Sequence, residues 1–387
     1  MVAVGAGTLI LVMSEFLPIG LLGEISADLK VSDGEAGLMV TAPGLMAAVS
    51  APLLARVAGA VDRRLMLWSL TTLLLVSNLL AALAPAFGLV LVARLLLGVG
   101  VGGFWTIGAG IAPRLVPPAK VPRAAAVISS GITIGTVVSL PLGPLIGHAA
   151  GWRAAFIVPA ALALVVLVAQ MLTLPSVPVL EKVTTRVLLS VFEQPKARLG
   201  VAIGGLSFLG HFVGYTYLIP YFRDLAHLAD GAVTVALLVF GVAGIAGNFV
   251  AGVAAARSVR GTLVASTGLM GVSIALLPSL GNTVPGAIVL TAVWGFSWGG
   301  VPVAMQLWMI NALGETAEGG LALFTSTTQI SVAAGSLIGG VLVDAAGIAV
   351  ALVVAAIVVF GATAAVGLCR GPRETRPETR TVAAEQV

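Results

Sequence analysis

The sequence predicts an all-α membrane protein of twelve transmembrane helices, arranged as two six-helix bundles. Three observations carry this expectation. Of 387 residues, 59% are hydrophobic and 9% charged, with a mean hydropathy of +1.11, whereas a soluble domain carries roughly 25% charged residues. The apolar runs are long and unbroken rather than alternating at period two, which argues against a closed barrel. There are twelve of them, each near the roughly 20 residues that cross a bilayer.

In order, the runs cover 2–22, 35–55, 66–84, 88–111, 124–147, 153–174, 199–220, 232–255, 261–280, 285–310, 319–342 and 348–368. The first contains Glu15 and Pro18 and lacks a basic leader, so it reads as a retained helix rather than a signal peptide. The polar stretch 175–198, with Pro175, Pro178, Glu181, Lys182, Arg186, Glu193 and Lys196, divides the chain near its midpoint and holds an amphipathic piece over 182–192. We read it as a surface linker between bundles 1–174 and 199–368, with 369–387 as a polar tail. The 48 glycines suit helices that must approach closely inside a membrane.

Charge gives the orientation. The connections on one side hold Arg56, Arg63, Arg64, Arg114, Lys120, Arg123, Lys182, Arg186, Lys196, Arg198, Arg257 and Arg260, and the tail adds Arg370, Arg373, Arg376 and Arg380. The other side holds Lys30, Arg153 and Arg223. This positive-inside bias predicts cytoplasmic termini. It also accounts for the +4 net charge without a nucleic-acid partner.

Other classes lack their machinery. Cys369 is the single cysteine, so neither an intrachain disulfide nor a cysteine metal site can form. His148, His211 and His227 are scattered, with no metal-ligand spacing and no phosphate-cradling loop nearby. A membrane enzyme or an ATP-driven pump is therefore not expected, nor is a cofactor. A receptor would be expected to carry a soluble output domain, and no polar segment is long enough. The expected partners are a small-molecule substrate, protons and lipid, and the expected state is a monomer.

The halves read as weak copies in the same orientation. Asp62-Arg63 corresponds to Ala256-Arg257, Gly102-Gly103 to Gly299-Gly300, and Leu145-Ile146-Gly147 to Leu337-Ile338-Gly339. All three offsets lie near half the chain length, as in transporters built from parallel repeats.

Ordered motifs on these spans resemble the major facilitator superfamily, and within it the twelve-span drug/proton antiporter family. They are Gly59-Ala60-Val61-Asp62-Arg63-Arg64 between spans two and three, Arg94 with Gly98, Gly100 and Gly103 in span four, and Gly143-Pro144-Leu145-Ile146-Gly147 in span five, with Gly131 and Gly135 upstream. The first is one residue shorter than the common form and lacks its later glycine. A closer likeness, to bacterial purine ribonucleoside efflux pumps and arabinose-efflux-like permeases, is carried by Glu15-Phe16-Leu17-Pro18, Gly103-Phe104-Trp105, Arg114-Leu115-Val116-Pro117-Pro118, Gly151-Trp152-Arg153 and Trp294-Gly295. The resemblance implies a proton antiporter that exports nucleoside-like or sugar-like molecules by alternating access. A drug-type exporter of larger apolar compounds is the alternative within transport. In the family the loop of Asp62, Arg63 and Arg64 latches the cytoplasmic gate, and the glycine-proline motif of Gly143, Pro144 and Gly147 limits leakage in exporters.

The residues add their own argument. Only Glu15 and Arg94 are formally charged well within the runs, and such a charge costs roughly 2.5–3.5 kcal/mol or more at a helix centre. Each lies about 10 Å below the outer boundary at about 1.5 Å per residue, so they can pair. Three readings stay open: Glu15 exchanges the coupling proton under the influence of Arg94, the two form a static tie, or they touch substrate. His211, mid-run in Gly210-His211-Phe212-Val213-Gly214-Tyr215, is a helix-helix hydrogen bonder, a substrate contact or a proton relay. Tyr217 reads as an outer-interface anchor and Tyr215 is left open. Trp105, Trp294 and Trp298 are cavity-wall or packing residues. Asn248, Gln306 and Gln329 are expected in a cavity or between helices. Asp62 also suits a helix N-terminus, whereas the neighbouring arginines follow from topology alone.

Overall fold

A computed structural model describes residues 1–57, 61–117, 120–177, 194–313 and 317–369, and among them every regular element is helical. The predicted linker piece 182–192, the tail beyond Cys369, and Gly59 and Ala60 lie outside the described residues.

The first run is broken rather than continuous. α1 (Val2–Phe16) ends where Pro18 has no N–H to offer the turn before it. The chain tightens into a 3-10 turn over Leu17–Leu21 and resumes as α2 (Leu22–Leu29). A reciprocal capping box between Ser32 and Glu35 then starts the short α3 (Asp33–Ala36).

The remaining helices follow the predicted runs to within a few residues, except that the seventh breaks after Tyr215 and resumes as a short turn over Leu218–Pro220 and a π turn over Tyr221–Leu225. They are α4 (Leu38–Val57), α5 (Arg63–Ala82), α6 (Phe87–Leu115), α7 (Val121–Ala150) and α8 (Trp152–Thr173). The second half supplies α9 (Pro195–Tyr215), α10 (Asp230–Arg257), α11 (Val259–Leu280), α12 (Val284–Leu313), α13 (Ala317–Ala346) and α14 (Ile348–Leu368). Eleven spans among the described residues are long and apolar enough to cross a membrane, and the bent α7 makes twelve. Polar burial is inverted relative to a soluble protein. Glu15, Asn78, Arg94, Gln170 and His211 are buried while Leu172, Phe249, Val253 and Ile357 face outward.

The repeat is visible in the packing. A Cβ on Gly135 would lie 2.8 Å from the Leu9 carbonyl, and one on Gly335 would lie 2.5 Å from the Leu209 carbonyl. Glycines of α7 thus seat α1 as glycines of α13 seat α9. The hairpins α7–α8 and α13–α14 turn at Gly151 (φ 82°) and Gly347 (φ 86°), a left-handed conformation open to glycine at no steric cost.

We call the bundle end that holds residue 1 the near end and the opposite one the far end. Polar contacts bridging the halves gather between mid-depth and the far end. The Ser32 hydroxyl donates to Asp344 at 2.6 Å and the Gly34 amide donates to it at 3.1 Å. The Ser336 hydroxyl donates to the Gly37 carbonyl at 2.9 Å. Tyr217 is buried and donates to the Ser336 carbonyl at 2.9 Å. The expectation that Tyr217 anchors a lipid interface is therefore wrong. Its ring lies among Gly37, Gly339 and Gly340, where the absence of side chains leaves room for it.

A second far-end cluster also joins the halves. His148 of α7 lies 3.5 Å from Glu24 of α2 and 3.8 Å from Asp230 of α10. Arg223 reaches His148 Nε2 at 2.8 Å and Asp230 at 3.2 Å.

Candidate functional site

Glu15 sits on the last turn of α1, just before the break at Pro18, and is 4% exposed. Its Oε1 accepts a hydrogen bond from Gln329 Nε2 of α13 at 3.3 Å. The contact crosses from one half to the other at mid-depth. Gln329 carries no charge, so it orients the carboxyl group without neutralising it.

The expected Glu15–Arg94 pairing takes a different form. Arg94 is 1% exposed, and its guanidinium donates to three backbone carbonyls. Nε bonds the Met39 oxygen at 2.8 Å, Nη1 the Ser14 oxygen at 2.7 Å and Nη2 the Glu15 carbonyl oxygen at 2.8 Å. Among the described residues no ion pair joins the two side chains. The reason lies in two prolines. Ser14 and Met39 stand four residues before Pro18 and Pro43, so their helical partners have no N–H. A carbonyl left unpaired inside a membrane is costly, and the fixed fork of a guanidinium carries donors enough to meet both. Arg94 is thereby held in place by α1 and α4.

A group of aromatic rings adjoins this site. Phe16, next to Glu15, stacks on Phe212 of α9 with centroids 5.8 Å apart, again bridging the halves. Phe212 meets the edge of His211 at 4.9 Å. His211 is fully buried between two rings, with Trp298 parallel at 3.6 Å and 2° and Tyr215 at 4.6 Å and 26°. Trp294 Nε1 donates to His211 Nδ1 at 3.0 Å. An indole N–H only donates, so Nδ1 is the acceptor, and the neutral ring carries its proton on Nε2. That nitrogen is buried and has no hydrogen-bond partner in the protein.

The structure thus brings Glu15, Gln329, His211, Tyr215, Trp294 and Trp298 into one neighbourhood. It leaves others apart. Trp105 packs on the first-half core. Asn248 and Gln306 are exposed on α10 and α12, so of the cavity and between-helix placements expected for them the second is not observed. Gln329 alone of the three is buried.

Asp62 caps α5, accepting from the Arg64 amide at 2.8 Å. It also accepts from the Ser176 hydroxyl and, at 3.1 Å, from the Val177 amide, while the Arg63 amide donates to the Val177 carbonyl at 3.1 Å. The loop is stapled to the segment leaving α8, within the first half. Those donors, led by the Ser176 hydroxyl, hold the Asp62 carboxyl below its usual range. The Arg64 guanidinium lies 4.9 Å from the Trp68 ring centroid. In α7, Gly143 lies against the Leu17 carbonyl and Gly147 against the Glu24 carboxylate. The helix bends by 51° between Ser130–Thr136 and Pro141–Ala150, a break that ends at Pro141, with Pro144 three residues further on.

Sequence reasoning missed Phe16 and Phe212 as a bridge, and the far-end contacts of Ser32, Tyr217, Ser336 and Asp344. One signal was present in the Ser32–Glu35 capping pattern. Which half each far-end residue would meet was not legible.

The Major Facilitator Superfamily model matches residues 4–319. The chain is 36% identical over 343 residues to Transcription regulatory protein OpdE of Pseudomonas aeruginosa, covering 87% of this chain and 85% of that one. It is 31% identical over 338 residues to Purine ribonucleoside efflux pump NepI of Escherichia coli strain K12, covering 87% and 85%. A bacterial homologue of the human lysosomal transporter Spinster, solved inward-facing and occupied, superposes with a TM-score of 0.78 at 14% identity, covering 95% of each chain. The chain is therefore a multi-pass membrane transport protein that belongs to the Major Facilitator Superfamily.

Proposed function

We propose that this protein is a proton-driven exporter of small polar molecules bearing a planar ring, purine nucleosides foremost. It would work by alternating access in a bacterial inner membrane, with residues 1–174 and 199–368 rocking about the site and both termini in the cytoplasm. The observation that carries the reading is the bond between Glu15 and Gln329. A buried carboxyl group at the junction of the two halves has a neutral partner, while the neighbouring cation is occupied by backbone carbonyls.

An ionised carboxylate there has no direct ion pair, since the Arg94 guanidinium bonds backbone carbonyls, and it is stabilised when water reaches it. A protonated one tolerates a dry, closed site. Proton occupancy thereby biases which end of the bundle opens. The basic near end supports the cytoplasmic assignment, and the bridged far end is what an inward-facing state requires. Similarity to a purine ribonucleoside efflux pump supports the substrate class, and the rings beside Glu15 suit a flat base.

The test is transport in proteoliposomes with an imposed pH gradient and labelled inosine or adenosine. The wild type is expected to move nucleoside against its gradient at the expense of protons. Glu15→Gln is expected to keep nucleoside exchange at zero gradient and to lose pH-driven accumulation. Undiminished pH-driven transport by that variant would reject the scheme.

A further inference from the structure

We propose that His211 selects purines by donating its Nε2 hydrogen to a ring-nitrogen acceptor of the base, N7. This rests on the nucleoside reading above and deepens it to one atom of the protein and one of the substrate.

The hydrogen bond from Trp294 fixes the tautomer, because an indole leaves Nδ1 no role but acceptor. Nε2–H is then a donor with a defined direction, in the plane of the imidazole, and it has no partner although the residue is 0% exposed. Buried donors are nearly always satisfied, so one left open calls for an explanation. A second proton would place N–H against N–H at Trp294, so a relay role would break the bond that holds the ring. An acceptor on a ligand would pair that hydrogen without disturbing Trp294.

The surroundings narrow the ligand. Tyr215 lies one turn from His211 on the same helix, while Trp298 comes from α12 and is only partly buried. Trp298 already lies flat on the imidazole at 3.6 Å, so that face belongs to His211 and a base would meet the imidazole edge-on, at Nε2. Thr291, a turn from Trp294 on α12, carries another buried polar atom without a partner, its hydroxyl oxygen. N7 is an acceptor present on both adenine and guanine and lacking in pyrimidines. One donor aimed at it reads purines as a class.

The experiment is equilibrium binding to the full-length protein in nanodiscs, comparing adenosine with 7-deazaadenosine and inosine with 7-deazainosine. These pairs differ at the N7 position alone. The wild type is expected to prefer the parent of each pair by about tenfold or more, the effect of leaving one buried donor unpaired. His211→Leu is expected to abolish the preference while keeping residual stacking affinity. Equal affinity within both pairs for the wild type overturns the proposal without recourse to any variant. So does a preference that survives His211→Leu. Failure of the wild type to bind any purine nucleoside would overturn the nucleoside reading and this inference together. Purine binding that ignores N7 would overturn the inference alone.

Discussion

Arg94 supplies to the Ser14 carbonyl the hydrogen bond that Pro18 cannot. The same guanidinium serves Met39, four residues before Pro43, so one buried cation repairs the backbone of two proline-broken helices. A charge this deep in a helical membrane protein invites a catalytic reading. Its partners assign it a positioning role, since it fixes the turn on which Glu15 stands.

Arg94→Lys should therefore fail where charge alone would succeed. An ammonium is a compact point charge and cannot span three carbonyls as the guanidinium does. Carbonyls left unpaired cost about 1–3 kcal/mol each. The lysine variant should melt well below wild type in detergent, measured by intrinsic fluorescence.

Pro18→Ala provides the matching cycle. Alanine returns an N–H within reach of the Ser14 carbonyl, so Arg94→Ala should cost less in the Pro18→Ala background than in the wild type. A coupling of about 0.5–3 kcal/mol is expected, read from the thermal stabilities of the four proteins. Strict additivity would contradict the proline account.

The far end should open when Asp344 is lost. Asp344→Ala removes the acceptor for Ser32 and Gly34, and Gly34→Ala would drive a Cβ into that carboxylate and to 2.6 Å from the Gly340 carbonyl. A change of about 1–3 kcal/mol shifts a two-state balance by roughly 5–150-fold. With Cys369 replaced by serine and a cysteine placed at the buried Ala36, both variants should label faster with a membrane-impermeant thiol reagent.

Asp62 predicts a pH dependence with a definite sign. Its folded-state carboxyl is held below the ordinary value, chiefly by the Ser176 hydroxyl and further by the Val177 and Arg64 amides. The stability it adds is thus fully present above the unfolded value, about 3.9, and is lost as pH falls through the depressed folded value. The melting-temperature difference between wild type and Asp62→Ala should stay constant from neutral pH to about pH 5 and shrink only in stronger acid.

Long apolar runs, the scarcity of charge and the one-sided basic loops determined the helical membrane class before any coordinate, because a bilayer tolerates few other solutions. Glu15 and Arg94 stood out for the same reason, as charges too costly to be accidental. What the sequence could not supply was partnership. Equal depth suggested that the two side chains meet, yet Arg94 turned to carbonyls because prolines on two other turns had left them open. Tyr217 was placed at a lipid surface by its composition and at a bundle junction by the glycines around it. Asn248, Gln306 and Gln329 looked alike in one dimension, and only helix rotation separated the exposed pair from the buried one. Solvent preference is written along the chain, while the identity of a hydrogen-bond partner depends on which helices cross, and that is a property of the packed bundle.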